Sequence, residues 1–133
     1  MIAGFHHLAI QCADLVRCEA FYRDVLGLAV VKRWPDAMGG ERSVWLALDG
    51  QGSFLALERA GAPPVDAPFQ DPRPGLHLVA LRIARADRER WEARLGAAGV
   101  AIVHRSRYTL YVRDPEGNRV GLSHHPEPAD PAP

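Results

Sequence analysis

The feature that most constrains this chain is a strand, an acidic cap, a helix and a glycine stop, written once between Phe5 and Leu28 and again from about residue 76. In Phe5 to Cys12, Leu8, Ile10 and Cys12 share one face of an alternating strand, while His7, Ala9 and Gln11 share the other. A following helix covers the first face, so His7 points away from it. Asp14 offers a carboxylate to the first open N–H groups. Leu15, Cys18, Tyr22 and Leu26 recur at helical spacing, Phe21 and Val25 widen the stripe, and Gly27 ends it. Glu19 and Arg23 stand four apart on the face this pattern leaves to solvent, where such a pair supports a helix by roughly 0.3 kcal/mol.

Valine-rich Leu28 to Trp34 reads as a second strand, Arg42 to Leu48 as a third and Ser53 to Glu58 as a fourth, with Asp49-Gly50-Gln51-Gly52 as a hairpin turn between the last two. The segment 61–74 holds five prolines and no periodic pattern, the composition of a stiff linker. Leu76 to Ile83 then reads as a fifth strand and Asp87 to Ala98 as a helix carrying Trp91, Leu95 and Ala98 on one side. Val100 to His104, Tyr108 to Arg113 and Asn118 to His124 supply three more strands, the last two joined at Asp114-Pro115-Glu116-Gly117. Each half is thus β-α-β-β-β. The turns recur about 65 positions apart, which an internal duplication explains economically. The expected organisation is a first module over 1–60, the linker over 61–74, a second module over 75–125 and a flexible tail over 126–133.

The chain has 133 residues, of which 47% are hydrophobic and 24% charged, enough for one soluble domain or two small halves. Sixteen basic residues balance sixteen acidic ones, so no global field draws it to nucleic acid or an anionic membrane. No stretch approaches the apolar length of a membrane span, and the N-terminus lacks a secretory pattern, so the expected compartment is cytoplasmic. Cys12 and Cys18 both fall on apolar stripes and read as small buried hydrophobes.

His7 to Leu28, the hairpin Trp45 to Glu58, and LYVRDPEGNRVGL at Leu110–Leu122 together resemble the vicinal oxygen chelate superfamily, which includes glyoxalases, bleomycin resistance proteins and extradiol dioxygenases. The resemblance covers nearly the whole chain. It implies an α+β fold, with two tandem βαβββ modules whose curved mixed sheets form a partly open, barrel-like cleft, commonly in a homodimer. It also implies a divalent ion held by a histidine on the first strand, a carboxylate on the fourth, a polar group on the fifth and a glutamate on the eighth.

Carried over residue by residue, His7 matches the first position. Gly121 replaces the eighth-strand glutamate, and Ala56 aligns with the fourth-strand carboxylate, with Glu58 two residues on along the same face. On the fifth strand Leu78 takes the ligand position, unless the register slips by one to bring in His77. The surviving metal set is His7, Glu58 and His77, an incomplete set suited to Fe, Mn, Zn or Ni; the other reading is a metal-free pocket. Glu58 and Tyr111 are the candidate catalytic groups. Trp45, Tyr111 and Arg113 are the candidate substrate-binding residues, although Trp45 also suits core packing and Arg113 a pairing near its own turn. His124 and His125 read as surface residues. Two functions follow from the resemblance: a metal-dependent lyase, isomerase or dioxygenase, or a metal-free protein that sequesters a small, antibiotic-type molecule.

Overall fold

The computed structural model describes residues 1–129 and divides them into two compact units, Met1–Pro64 and a second beginning at Val65. The first unit contains strands β1 (His7–Cys12), β2 (Val30–Pro35), β3 (Glu41–Ala47) and β4 (Phe54–Arg59) in the order β1-β4-β3-β2. β1 runs parallel to β4 and the other pairs are antiparallel. Helix α1 (Leu15–Ala20) starts at Asp14, whose carboxylate accepts from the Arg17 N–H at 3.0 Å, as the cap position foretold. Leu15, Cys18, Phe21, Tyr22 and Leu26 of its stripe are buried. So are Val44, Leu46, Leu55 and Leu57 on one face of the sheet.

The first helix does not run on regularly to Leu26. Its continuation Phe21–Val25 is a π-helical turn, closed by the Leu26 N–H on the Phe21 carbonyl at 3.0 Å. The wider turn accommodates two consecutive aromatic residues, Phe21 and Tyr22, that are both buried and meet edge to face. Gly27, at φ 80°, then ends the helix as expected.

Glu19 departs from its expected solvated place: the residue is only 5% exposed. Besides Arg23 Nη1 at 2.6 Å, it binds Arg33 Nη1 of β2 at 2.9 Å, so helix and sheet share one carboxylate. Helical spacing showed the Arg23 pair; the Arg33 contact needs a strand brought beneath the helix.

The second unit repeats the plan with β5 (Val79–Arg82), α2 (Arg88–Ala97), β6 (His104–Arg105), β7 (Thr109–Arg113) and β8 (Arg119–Ser123), in the order β5-β8-β7-β6. The pair β5–β8 is parallel and the others antiparallel. Neither four-stranded mixed sheet closes on itself, so the fold is α+β with two βαβββ units, as expected. The strands β5 and β6 are shorter than their hydrophobic runs. The segment expected as a stiff linker is fastened at residues 67–69: Arg113 Nη2 donates to the Ala67 carbonyl and Arg119 to the carbonyls of Pro68 and Phe69, and Arg119 also donates to that of His77 beyond it.

The two hairpin turns are built alike. Asp49 Oδ1 accepts from the N–H groups of Gln51 and Ser53, and its Oδ2 from the Ser53 hydroxyl. Asp114 Oδ1 likewise accepts from the N–H groups of Glu116 and Asn118, and its Oδ2 from the Asn118 amide. Gly52 and Gly117 occupy the same place in each turn, at φ 95° and 87°, where a side chain would be strained. These bonds, the Ser53 hydroxyl foremost, hold the Asp49 carboxyl below its ordinary value.

The C-terminal stretch also differs from expectation. His124 is buried, not on the surface: its Nε2 faces Arg88 Nη1 at 2.9 Å and its Nδ1 faces the Glu127 carbonyl. Arginine only donates, so Nε2 accepts and the ring hydrogen sits on Nδ1. Within the tail expected over 126–133, the Ala129 N–H bonds the Arg107 carbonyl and the Glu127 N–H bonds that of His124; residues 130–133 lie outside the described residues.

Candidate functional site

Strand register decides what the first unit presents on the face opposite Val44, Leu46, Leu55 and Leu57. Three rows cross it: His7, Phe54 and Ala47; then Ala9, Ala56, Trp45 and Lys32; then Gln11, Glu58, Ser43 and Trp34. A chain of rings runs over these rows. His7 stacks on Phe54 at 4.9 Å and 5° between planes, Phe54 on Trp45 at 4.2 Å and 22°, and Trp45 meets Trp34 edge to face at 5.3 Å. Lys32 Nζ lies 4.0 Å from the centre of the Trp34 ring, a cation–π contact that caps the series.

His6 turns its ring to the same side, with its Nδ1 2.8 Å from that of His7. One ring donates and the other accepts, so the pair shares a single hydrogen at that contact.

Three polar atoms of this face are buried without a hydrogen-bond partner: Trp34 Nε1, Ser43 Oγ and Trp45 Nε1. Buried donors are nearly always satisfied, and each one left alone costs about 1–3 kcal/mol. Their grouping on neighbouring rows marks a place built for something more than packing.

The corresponding face of the second unit carries Ala80 and Arg82 of β5, Arg119, Gly121 and Ser123 of β8, Thr109, Tyr111 and Arg113 of β7, and His104 of β6. Tyr111 lies 5.4 Å from the His104 ring and 5.5 Å from Phe69, and Phe69 lies 6.2 Å from His77. Arg113, expected to meet a ligand or to pair near its own turn, uses Nη1 on the Gly117 carbonyl of that turn and Nη2 on the carbonyl of Ala67. His77 precedes β5, and the register Ala80↔Gly121 keeps Leu78 on the Gly121 face, so the one-residue slip is not adopted.

The expected metal set fits this geometry poorly. His7 pairs with Phe54, whereas Glu58 lies four residues further along β4, about 13 Å at strand rise, too far for two side chains that stand off the same sheet face to lean together on one ion. Ala56, nearer to His7, has no donor. A Cβ added at Gly121 would stand 3.0 Å from Leu78 Cδ1 and 3.1 Å from Thr109 Cγ2, so apolar packing closes in where the eighth-strand glutamate would project. Among the described residues no three His, Cys, Asp or Glu side chains are grouped to hold one ion.

Sequence reasoning reached His7 and Trp45 but passed over His6, Trp34, Ser43 and Phe54. The signal was available in the turn. Once Asp49 to Ser53 closes the hairpin, Trp45 must oppose Ala56 and Ser43 must oppose Glu58, placing Phe54 on the same face as both pairs. No local pattern marked His104 or Phe69, which reach Tyr111 through tertiary placement.

Comparison with known proteins agrees with this architecture. An uncharacterised protein of Pseudomonas aeruginosa, PA2024, is 31% identical over 125 residues, covering 89% of this chain and 86% of its own. The crystal structure of a glyoxalase/dioxygenase from Nostoc punctiforme superposes with a TM-score of 0.78 at 22% identity, covering 94% of this chain and 92% of that one. Lactoylglutathione lyase from Agrobacterium tumefaciens superposes with a TM-score of 0.66 at 26% identity, covering 93% and 95%. The profile of one family spans residues 4–122, taking in both units and both aspartate turns, and on that match the chain belongs to the Glyoxalase/Bleomycin resistance protein/Dioxygenase superfamily.

Proposed function

We propose that this chain binds a small organic molecule on the ring-bearing face of its first sheet and does so without a resident divalent ion, as a sequestering or carrier protein. One observation carries the reading. The positions where the family resemblance calls for donors on the fourth, fifth and eighth strands hold Ala56, Leu78 and Gly121, and the face of the first sheet around Ala56 is lined with stacked rings. Apolar and aromatic lining with a few polar groups is what an organic ligand requires. Fold alone does not decide between binding and catalysis, because this superfamily holds both.

A metal-dependent lyase or dioxygenase is the second reading. It is favoured by His7, which is exposed at the start of β1 with a ring nitrogen directed to its neighbour His6, and by the likeness to a lactoylglutathione lyase. Under it, the ion would have to draw His7, Glu58 and His77 together against the spacing found along β4, and Tyr111 would assist.

Metal content of the untagged protein, followed by thermal melts with iron(II), manganese, zinc and nickel, separates the two. The binding reading expects less than a tenth of an ion per chain and no shift in Tm. Near-stoichiometric metal, or a rise in Tm that His7→Ala removes, would establish the metal site instead.

The protein is further proposed to be a cytoplasmic homodimer. Phe5 and Leu76, which precede the edge strands β1 and β5 at equivalent places in the repeat, are 65% and 91% exposed, apolar surface beside each edge that a second copy would cover. Light scattering coupled to gel filtration tests this. No helix among the described residues is long and apolar enough to cross a membrane, and the balanced charge gives no net field to draw in nucleic acid.

A further inference from the structure

The unpartnered atoms of the first sheet say what kind of molecule would complete them, an inference that rests on the binding reading above. Trp34 Nε1 and Trp45 Nε1 can only donate, and the Ser43 hydroxyl can donate or accept. What the group lacks is acceptors. Ser43 is itself 1% exposed, yet it makes no hydrogen bond to Glu58, directly opposite on β4, or to Trp34, directly opposite on β2. The neighbourhood also specifies shape and charge. His7, Phe54 and Trp45 lie ring on ring, a stack that a flat partner can extend. The Glu58 carboxylate opposite Ser43 and the Lys32 ammonium over Trp34 balance each other at this face, so the site calls for no charged group on its ligand and a neutral oxygen suits it.

We infer that the first unit recognises a flat aromatic molecule bearing an uncharged carbonyl oxygen, its ring against Trp45 and its oxygen among Trp34 Nε1, Trp45 Nε1 and Ser43 Oγ. The three atoms are buried, so an indole must turn aside to admit the oxygen. Trp45 is suited to do so, since ring contacts rather than hydrogen bonds hold its side chain. Binding then exchanges one ring contact for another and fills the missing acceptor. A molecule of the same outline without the oxygen leaves the donors as they were, and a donor such as an amine finds nothing on the indoles to accept it.

Equilibrium dialysis of the full chain against 9-fluorenone and against fluorene, the same three-ring skeleton with and without the carbonyl oxygen, tests this. Fluorenone is expected to bind about tenfold more tightly, the worth of one good hydrogen bond in an apolar site. Ser43→Ala is expected to lower fluorenone affinity about three- to tenfold and leave fluorene unchanged. Trp45→Leu, checked for folding by circular dichroism, is expected to weaken both. Equal binding of the two compounds overturns the carbonyl assignment while leaving small-molecule binding on this face intact. Binding of neither overturns the assignment outright. Should the protein then also take up metal through His7, the binding reading falls with it.

Discussion

Arg113 and Arg119 stand directly opposite each other on β7 and β8, and both donate to backbone carbonyls of the proline-rich segment, Arg113 to Ala67 and Arg119 to Phe69 at 2.7 Å. Prolines supply no N–H, so a segment rich in them cannot join a sheet edge by ordinary pairing. Its carbonyls still need donors, and two guanidinium groups provide them. The segment is therefore held by side chains of the second unit rather than by strand pairing.

Replacing Arg119 with alanine removes the donors to Pro68, Phe69 and His77 together. Hydrogen bonds from a charged donor contribute about 1.5–3 kcal/mol each when partly buried. Local opening of this segment should become easier by about 2 kcal/mol, roughly thirtyfold in population. Chymotryptic cleavage after Phe69 should accelerate accordingly, with little change in the global melt. An unchanged cleavage rate would show that the arginine does not hold the segment.

The Glu19 clasp gives a pH dependence whose sign is fixed. Hydrogen bonding from Arg33, then the charges of Arg33 and Arg23, hold its carboxyl below the ordinary value of 4.5 despite burial, which acts the other way. The folded state thus binds its proton less readily than the unfolded chain. The stabilisation is present above about pH 4.5 and is lost as pH falls through the lowered value. Glu19→Gln should cost about 2 kcal/mol in urea unfolding at pH 7 and distinctly less at pH 3. A cost that does not shrink in acid would mean the carboxylate charge is not what stabilises the pair.

Much of the architecture could be read from residues, and the readable parts share a cause: their determinants are local. Asp14, Gly27, the aspartate turns and the alternation around His7 each act within a few positions, and each lies where the spacing placed it. Glu19 reads as solvated and His124 as a surface residue because their partners Arg33 and Arg88 lie 14 and 36 positions away; of the two readings of Arg113, spacing reaches the bond to its own turn at Gly117 and misses Ala67, 46 positions away. The ring-bearing face falls between these cases. His7 and Trp45 follow from alternation, but Ser43 and Phe54 join them only once the hairpin register is known.

Packing at Gly121 is open to direct test. An added methyl group would press on Leu78 Cδ1 and Thr109 Cγ2 at 3.0 and 3.1 Å, so Gly121→Ala should destabilise by about 1 kcal/mol. Leu78 is 37% exposed and can be trimmed, so Leu78→Ala combined with Gly121→Ala should restore part of the loss. Simple additivity of the two costs would show that the neighbours already yield. Gly121→Glu alone should destabilise more than alanine and should not by itself confer metal uptake.

Ser43→Ala makes the opposite prediction for stability. The hydroxyl is buried and unpartnered in the free protein, so removing it should raise stability by about 1 kcal/mol, seen as an increase in Tm. A fall in Tm would mean that Ser43 already has a partner in solution. An unpaired serine retained against this gain is what a ligand contact would require.

The paired aspartate turns also bear on how the chain acquires its structure. Each turn closes a hairpin between strands that are neighbours in sequence, β3 with β4 and β7 with β8. Closing so short a loop takes well under a microsecond and a hairpin a few microseconds, whereas β1 must find β4 across more than forty residues and β5 must find β8 across about as many. The order this implies is a hairpin nucleus in each half, with the leading strand and its helix docking afterwards. A chain with two such nuclei has two starting points for folding, and Gly52→Val or Gly117→Val, which strain a positive φ, should each slow refolding of their own half while sparing the first event in the other.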